Sequence, residues 1–475
     1  MRPALVTLAS ALLGLAAPRS ARANGAFPAT MQVLLPPQAP ETIVVATTFG
    51  LTWTIDGGAH WHWHCEHDLG LQAQAYQLGA PPASALFGLG TAGLVASVDL
   101  ACSWSIVMDN ETAILLDYFP DPGAADRLLA IGINRTQAHQ RALFELKLGN
   151  GTTSHVAVRT LYTAAAGNDP TTAEIARSDP QVIYTTIVDR SGAEPMARLA
   201  RSNDGGTTWT IVAPTPATAN LGIVAVDPVD PEKLVFRITT DLGDQLALSS
   251  DGGKTLATPL APPGLTFSSF VRLPNGHLLA GWQDIDRGYI YRSTDGGATF
   301  TLLASRLHPR FLAARAGHLY AATDIGTDGQ ALAISDDEGD TWRRMMAFED
   351  VTPGAACPGI VPSCVATCQT VVLQKIFTPS ACAAPLSDGG GGAKGDAATP
   401  DAAAAPGDAG PRVDAARDED AGRDEDADAG CSCRLGGRRC RSGGRFAALT
   451  AMVASFAVGL VTARRRQRPL PDPRT

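Results

Sequence analysis

The chain has 475 residues, 45% of them hydrophobic, and 38 basic side chains stand against 47 acidic ones for a net charge of −9. This length and apolar content suffice for a sizeable buried core. The acidic balance, with no basic stripe in the main body of the chain, argues against a nucleic-acid partner, because phosphate-backbone binding depends on clustered Lys and Arg.

The first 23 residues are typical of a secretory signal peptide. Met1-Arg2 precede an apolar run from Ala4 to Ala17, and Ala21 and Ala23 are the small residues at minus three and minus one before Asn24. The alternative is a buried N-terminal helix, but nothing amphipathic follows. We therefore expect an exported protein.

An octet of the form hydroxyl, x, Asp, Gly, Gly, x, x, aromatic recurs between residues 24 and 350, and its fullest copy is 202–209. The Ser and Asp side chains can accept backbone N–H bonds inside a tight turn, and the two glycines supply positive φ angles. Copies begin at residues 54, 97, 202, 249, 293 and 335. The copy at 249 has Leu256 in the aromatic position, and the copy at 97 has Ala101 where the second Gly belongs. The residues assigned to these turns are Asp56, Trp61, Asp99, Trp104, Asp204, Trp209, Asp251, Asp295, Phe300, Asp337 and Trp342.

The spacing of the octets predicts the fold. Successive copies are 42 to 47 residues apart except for one gap of 105, so a seventh unit without a clear octet is expected near 148–153. Turns at such a period, separated by short strand-like runs, are the mark of a β-propeller. The octets resemble the Asp-box or BNR repeats of sialidases, sortilin-type receptors, xyloglucan-active glycosidases and photosystem-assembly propellers. That resemblance implies an all-β, seven-bladed propeller over 24–350, with each octet on the outer part of a blade, away from the ligand face.

A histidine-rich stretch follows the first octet. On a strand its three histidines would project from one face, opposite Trp61, Trp63 and Cys65. The histidines are His60, His62 and His64. Imidazoles at i and i+2 suit a metal, with Glu66 or His67 as a third ligand. The alternative is a solvated outer strand, and we expect no metal and no cofactor.

Catalytic signatures are sparse. A sialidase needs an arginine triad, and 236–239 (Phe-Arg-Ile-Thr) is similar to that family's Arg motif but has Thr where Pro is typical and follows three octets. A glycosidase needs two carboxylates that face each other across the channel mouth. Loop candidates are Asp241, Asp244, Asp284, Asp286 and Asp324. The sequence favours a non-catalytic module that binds an extracellular protein or glycan, with a surface glycoside hydrolase as the alternative.

Residues 351–386 form a cysteine-rich closing segment. Its half-cystines are Cys357, Cys364, Cys368 and Cys382, which predict two disulfides in an exported protein, while 370–373 is a candidate closing strand. Zinc held by the four thiolates is the alternative, disfavoured by export and by the lack of a CxxC pair. Cys65 and Cys102 are candidates for a third bridge.

The C-terminal region predicts a stalk and an anchor. Residues 387–430 are mostly Asp, Ala, Gly and Pro, with no aromatic residue, which is typical of a disordered linker. The uncharged run 446–463 would span about 27 Å as one transmembrane helix, with Arg464–Arg466 on the cytoplasmic side. The order of Cys motif, span and Arg cluster in 431–475 resembles the MYXO-CTERM tail of myxobacterial surface proteins. The resemblance implies a sorting protease, processing at Cys431 or Cys433, and delivery to the cell surface or outer membrane. Cys440 leaves the processed thiol open, and a plain membrane anchor is the alternative.

Overall fold

The computed structural model describes residues 28–65, 76–82, 84–90, 92–111, 113–135, 140–149, 157–163, 168–192, 194–212, 220–353 and 368. These residues form seven sheets, antiparallel except for one short strand, and almost no helix, which confirms the predicted all-β, seven-bladed propeller.

The first three blades lie between residues 30 and 163. Blade 1 contains β1 (Thr30–Leu34), β2 (Ile43–Thr47), β3 (Gly50–Thr54) and β4 (Trp61–Cys65). Blade 2 contains β5 (Tyr76–Leu78), β6 (Leu86–Gly90), β7 (Gly93–Ser97) and β8 (Ser105–Asp109). Blade 3 contains β9 (Ala113–Pro120), β10 (Arg127–Asn134), β11 (Arg141–Lys147) and β12 (Ala157–Thr163). The expected seventh unit near 148–153 thus lies between β11 and β12, where the other blades carry an octet, although 150–156 are outside the described residues.

The remaining four blades follow the same order. Blade 4 contains β13 (Asn168–Ile175), β14 (Ile183–Asp189), β15 (Met196–Ser202) and β16 (Thr210–Ile211). Blade 5 contains β17 (Asn220–Val226), β18 (Leu234–Thr240), β19 (Gly243–Ser249) and β20 (Ala257–Leu260). Blade 6 contains β21 (Thr266–Arg272), β22 (Leu278–Gln283), β23 (Gly288–Ser293) and β24 (Thr301–Leu302). Blade 7 contains β25 (Pro309–Arg315), β26 (His318–Thr323), β27 (Leu332–Ser335) and β28 (Arg343–Met346), with the short helix α1 (Ile325–Asp328) between β26 and β27.

The first strand of each blade is the innermost. β1 contacts both β25 and β5, and β9 contacts both β5 and β13, so first strands follow one another around a ring. The register against the second strand shifts in β1, β9, β13, β17, β21 and β25. Such bulges bend the strand and increase its local twist.

The second strands are buried on both faces because each blade lies between two others. All five residues of β2 are buried, and so are the first six of β14. Strands covered on both faces are typically continuous apolar runs. The buried clusters accordingly span neighbouring blades, as where Trp61 and Trp63 of blade 1 pack with Tyr320 and Met346 of blade 7.

The ring closes between blades 7 and 1 without exchanging a whole strand. β29 (Val351–Pro353) pairs in parallel with β4 and makes blade 1 five-stranded. Phe348, in a 3-10 turn just before β29, contacts Phe49 edge-on at 4.9 Å between ring centroids. The closing strand that the structure shows is therefore β29, whereas the candidate at 370–373 lies outside the described residues.

Candidate functional site

The octets and the carboxylate-bearing loops lie on opposite faces of the propeller. Because the strands of a blade are antiparallel, turns from the first to the second strand and from the third to the fourth share one face. All six octets join a third strand to a fourth. In blade 4, the octet Gly205 N–H donates to the Gln181 carbonyl in the β13–β14 turn at 2.9 Å. We name this side the octet face, and the side with the turns from second to third strand the loop face.

Each octet aspartate is occupied by its own turn. Asp204 Oδ1 accepts the N–H of Thr208 at 2.8 Å, and its Oδ2 accepts the Thr208 hydroxyl at 2.6 Å. Bonds from Thr208, its hydroxyl first, lower the pKa of Asp204 to about 2. Equivalent bonds are made by Asp56, Asp99, Asp251, Asp295 and Asp337. These carboxylates organise backbone and leave little capacity for a ligand.

The turn persists where its glycines are replaced. In blade 2, Leu100 and Ala101 take the two glycine positions with φ of 57° and 70°. The Ala101 N–H still donates to Ser97 Oγ at 2.8 Å. Side chains rarely adopt this left-handed conformation. The hydroxyl and Asp side chains therefore fix the turn even against backbone strain.

The octet aromatics bridge each blade to the preceding one. Trp61 is buried, and the others are half-buried. Trp209 packs with the cluster of blades 3 and 4, and its Nε1 donates to the Leu161 carbonyl of blade 3 at 2.9 Å. The same position in other blades is held by Trp104, Phe300 and Trp342. These rings are part of the fold.

The histidine stretch does not form the predicted common face. β4 begins at Trp61, so His60 lies in the turn before it, and its Nδ1 binds Asp56 Oδ2 at 2.6 Å. His62 and His64 both lie against Trp53, at 5.9 and 6.0 Å between ring centroids. The expectation that all three project together was wrong, because the octet aspartate captures the first one. No group of three or more metal-ligating side chains is found in the part of the chain that the structure describes.

Three of the predicted half-cystines are among the described residues. Cys65 is fully buried at the end of β4, Cys102 is half-buried in the octet of blade 2, and Cys368 is buried in the cluster of blades 1 and 7. None of the three is a free thiol. The bridging partner of each stays a prediction.

The carboxylates considered for glycoside hydrolysis are mostly committed to local contacts. Asp244 lies inside β19 rather than in a loop, is buried, and forms an ion pair with Arg237 at 3.2 Å. This pair also occupies the guanidinium of the segment similar to the sialidase motif. Asp284 accepts the N–H groups of Asp286 and Arg287 at 2.7 Å. Asp324 caps α1 and forms an ion pair with Arg310. Asp241 and Asp286 are exposed.

A groove of about 810 Å³ runs between blades 6 and 7. Blade 6 contributes Asp286 and Arg287 of the β22–β23 loop, together with 302–307, which are the end of β24 and the link to β25. Blade 7 contributes Thr327, Asp328 and Gln330, together with Asp340 and Trp342 of its octet. Its volume is in the range typical of small-molecule sites.

One close backbone contact sets the geometry of this groove. A Cβ added to Gly288 would lie 1.9 Å from the Leu307 carbonyl oxygen and 2.3 Å from His308 Cα. Only glycine permits that approach. Because Gly288 touches Leu307, the residues just before them, Arg287 and Arg306, are brought to the same groove, which both line.

These two arginines are unpaired. Arg287 and Arg306 are exposed, and neither makes an ion pair or side-chain hydrogen bond with the residues that the structure describes. By contrast, Asp340 on the groove wall is paired with Arg292 at 3.0 Å. Burial raises the pKa of Asp328, which favours its neutral form. The groove therefore presents two available guanidiniums on a protein that is acidic overall.

A buried histidine follows the last groove residue of the link, Leu307. His308 is 3% exposed, and neither ring nitrogen has a hydrogen-bond partner. Its backbone N–H donates to Asp328 Oδ2 at 3.0 Å. An unpaired buried polar group costs free energy. His308 directly follows Leu307 but is not among the residues that line the groove.

Two acidic side chains lie on the adjacent inner strands of blades 3 and 4. Burial raises the pKa of Asp117 on β9 to about 6. Burial, with the Asp117 charge as a second cause, raises the pKa of Glu174 on β13 to about 8. Both side chains are half-buried. Near neutral pH, Glu174 is therefore mostly protonated.

Sequence reasoning missed the groove. Gly288 begins a third strand, as Gly50, Gly93 and Gly243 do in blades 1, 2 and 5, but Arg287 and Arg306 belong to no repeat. Only the contact between a loop and a link joins them. The Asp-Ile-Asp-Arg-Gly run at 284–288 was a detectable signal, because a glycine at a strand start beside charged residues indicates close backbone approach.

Comparisons with known proteins show similarity of fold and nothing more specific. No protein-family model matches the chain, and no curated protein matches it. Similar solved structures include a GH74 xyloglucanase from Xanthomonas campestris, with 16% identity, a TM-score of 0.36, and coverage of 66% of this chain and 57% of that one. YCF48 from Cyanidioschyzon merolae has 13% identity and a TM-score of 0.43, with 63% and 94% covered. The β-propeller domain of the Trilobed protease from Pyrococcus furiosus has 8% identity and a TM-score of 0.46, with 68% and 98% covered. The neighbours thus include glycoside hydrolases, peptidases and binding proteins.

Among the described residues, no helix has the length and apolar character needed to span a bilayer. The predicted span 446–463, the linker and the sorting cysteines lie outside them.

Proposed function

We propose that this chain is an exported propeller, anchored at the cell surface by its C-terminal tail, that binds an extracellular glycan or protein. The observation that carries the proposal is the groove between blades 6 and 7, with two unpaired arginines and the half-buried rings of Tyr289 and Trp342. Concave sites with aromatic walls and a few convergent polar groups are the usual form of ligand sites. The octet aspartates, committed to their turns, offer no rival site.

The test is direct binding. We expect the full chain, purified in detergent, to bind a subset of glycans or secreted proteins on an array and to release no reducing ends from the bound glycans. Absence of binding to any member of both arrays would contradict the proposal. Release of reducing ends would favour the alternative.

The alternative is a surface glycoside hydrolase. It is favoured by Asp324, the N-cap of α1, and Asp328, its last residue, whose pKa values are shifted in opposite directions. Burial raises that of Asp328, and Arg310 holds that of Asp324 down. Carboxyl pairs separated in this way serve as acid and base in hydrolases. Both are held by other groups, Asp324 by Arg310 and Asp328 by the His308 N–H. We therefore rank binding first.

The proposal includes features read from the sequence: the signal peptide 1–23, the Asp-box identity of the octets, the linker 387–430 and a MYXO-CTERM-type tail cut by a sorting protease at Cys431 or Cys433. Cell fractionation tests the anchor. We expect the propeller in the surface fraction of wild-type cells, and in the medium when residues 431–475 are removed.

A further inference from the structure

We propose that the groove between blades 6 and 7 binds a carboxylate-bearing oligosaccharide, whose acid groups Arg287 and Arg306 hold. This inference rests on the proposed function and names its ligand class and its site. The charges supply the first argument. A guanidinium presents five donors in a fixed fork that matches a carboxylate. In this acidic chain most described arginines already face a carboxylate or a carbonyl, and these two do not.

A backbone contact brings the two arginines to the same groove. The approach of Gly288 to Leu307 leaves no room for a Cβ, so the β22–β23 loop and the link to β25 are held together at that point. Arg287 and Arg306 then extend from two different chain segments into one groove. Two cations held in this way suit a ligand that carries more than one acid group.

The remaining lining favours a sugar over an acidic peptide. Tyr289 and Trp342 offer half-buried aromatic rings, which can pack against the apolar face of a sugar. Ser305, Thr327 and Gln330 add hydroxyl and amide groups that can both donate and accept. A polyhydroxylated ligand uses both roles along its length.

The experiment is calorimetric titration of the full chain in detergent with alginate hexasaccharide, which has a carboxylate on every ring, and with neutral maltohexaose. We expect alginate to bind about tenfold or more tightly than maltohexaose, and the R287Q/R306Q variant to lose about tenfold or more of that affinity. The matched control is R141Q/R177Q. It removes the same charge from two other exposed arginines that make no ion pair or side-chain hydrogen bond within the described chain and lie outside the groove. We expect its affinity for alginate to be unchanged.

Several outcomes would overturn the inference. They are no alginate binding at millimolar concentration, equal binding of maltohexaose, an equal loss in both double variants, or tighter binding of a hexaglutamate peptide than of alginate. An unchanged melting temperature of R287Q/R306Q shows that any loss is not misfolding. If the array ligands of the proposed function still bind R287Q/R306Q normally, the binding function stands and only this assignment fails.

Discussion

The Arg315 guanidinium of blade 7 donates a hydrogen bond of 2.8 Å to the Thr42 carbonyl of blade 1. The same group donates to the carbonyls of Pro36, Ala39 and Pro40. One guanidinium thus donates to four carbonyls of the turn at 36–42, across the seam where the ring closes. Because blades 7 and 1 share no complete strand, this contact replaces part of the hydrogen bonding that strand exchange would supply.

Because Arg315 bridges blades 7 and 1, we expect Arg315→Met to lower the stability of the protein substantially. We expect a loss of about 2–4 kcal/mol in the free energy of unfolding, because several carbonyls lose a charged donor. Urea denaturation measures it. Arg343→Gln is the control, since Arg343 is exposed and its 3.6 Å ion pair with Asp336 is worth little. A loss for Arg315→Met no greater than the control would show that the clamp is dispensable.

The octet aspartates predict acid lability. The pKa values of Asp204 and Asp251 are lowered to about 2 in the folded protein, against about 4 in an unfolded chain. Their stabilisation is therefore full above about pH 4 and disappears as the pH falls towards 2. The melting temperature of Asp204→Asn/Asp251→Asn should lie below that of wild type at pH 6, with a smaller difference at pH 2.5. Asp241→Asn, at an exposed loop position, should show no such difference, and a constant gap for the octet variant would refute the linkage.

Glu174 predicts the opposite dependence. Its folded pKa of about 8 lies above the unfolded value, so the stability that its protonated form provides is full below about pH 4 and is lost as the pH rises through 8. Glu174→Gln cannot ionise. We expect the difference in melting temperature, Glu174→Gln minus wild type, to be larger at pH 8.5 than at pH 4. An equal difference at both pH values would mean that folding does not raise the pKa of Glu174.

Replacing His308 by Leu should stabilise the protein. Both ring nitrogens are buried and unpaired, so His308→Leu should raise the free energy of unfolding by about 1 kcal/mol. His277→Leu is the contrast, because His277 Nδ1 binds Glu338 at 2.7 Å and its loss should destabilise. Chemical denaturation of both variants checks this. Destabilisation by His308→Leu would show that the imidazole has a polar partner in solution.

The proposed bridge between Cys65 and Cys102 is testable by peptide mapping. The His64 side chain is hydrogen-bonded to the backbone of Ala101, so the residues that follow each of them are near one another. We expect a non-reduced digest to contain one peptide pair with both cysteines, and Cys65→Ala/Cys102→Ala to lose about 2–4 kcal/mol of stability. Recovery of Cys65 linked to any other cysteine would overturn the pairing, whatever the stability of the variant.

The sequence by itself determined the number of blades and the position of the octet turns. Those features are local: a hydroxyl, an aspartate and two residues with positive φ close a turn by bonds that reach at most four positions along the chain, as between Asp204 and Thr208. Even the blade whose octet is not recognisable could be placed, because its neighbours keep a fixed spacing. The prediction for His60 was wrong because its hydrogen bond to Asp56 holds it in the turn. A prediction from strand alternation alone does not include such a bond.

Only the tertiary structure decided where a ligand can bind. Arg287 and Arg306 become a pair because Gly288 lets two distant segments touch, and they stay available because no carboxylate among the described residues reaches them. No local sequence pattern predicts their proximity or their lack of a partner, since both depend on which side chains the folded ring brings together and which it keeps apart.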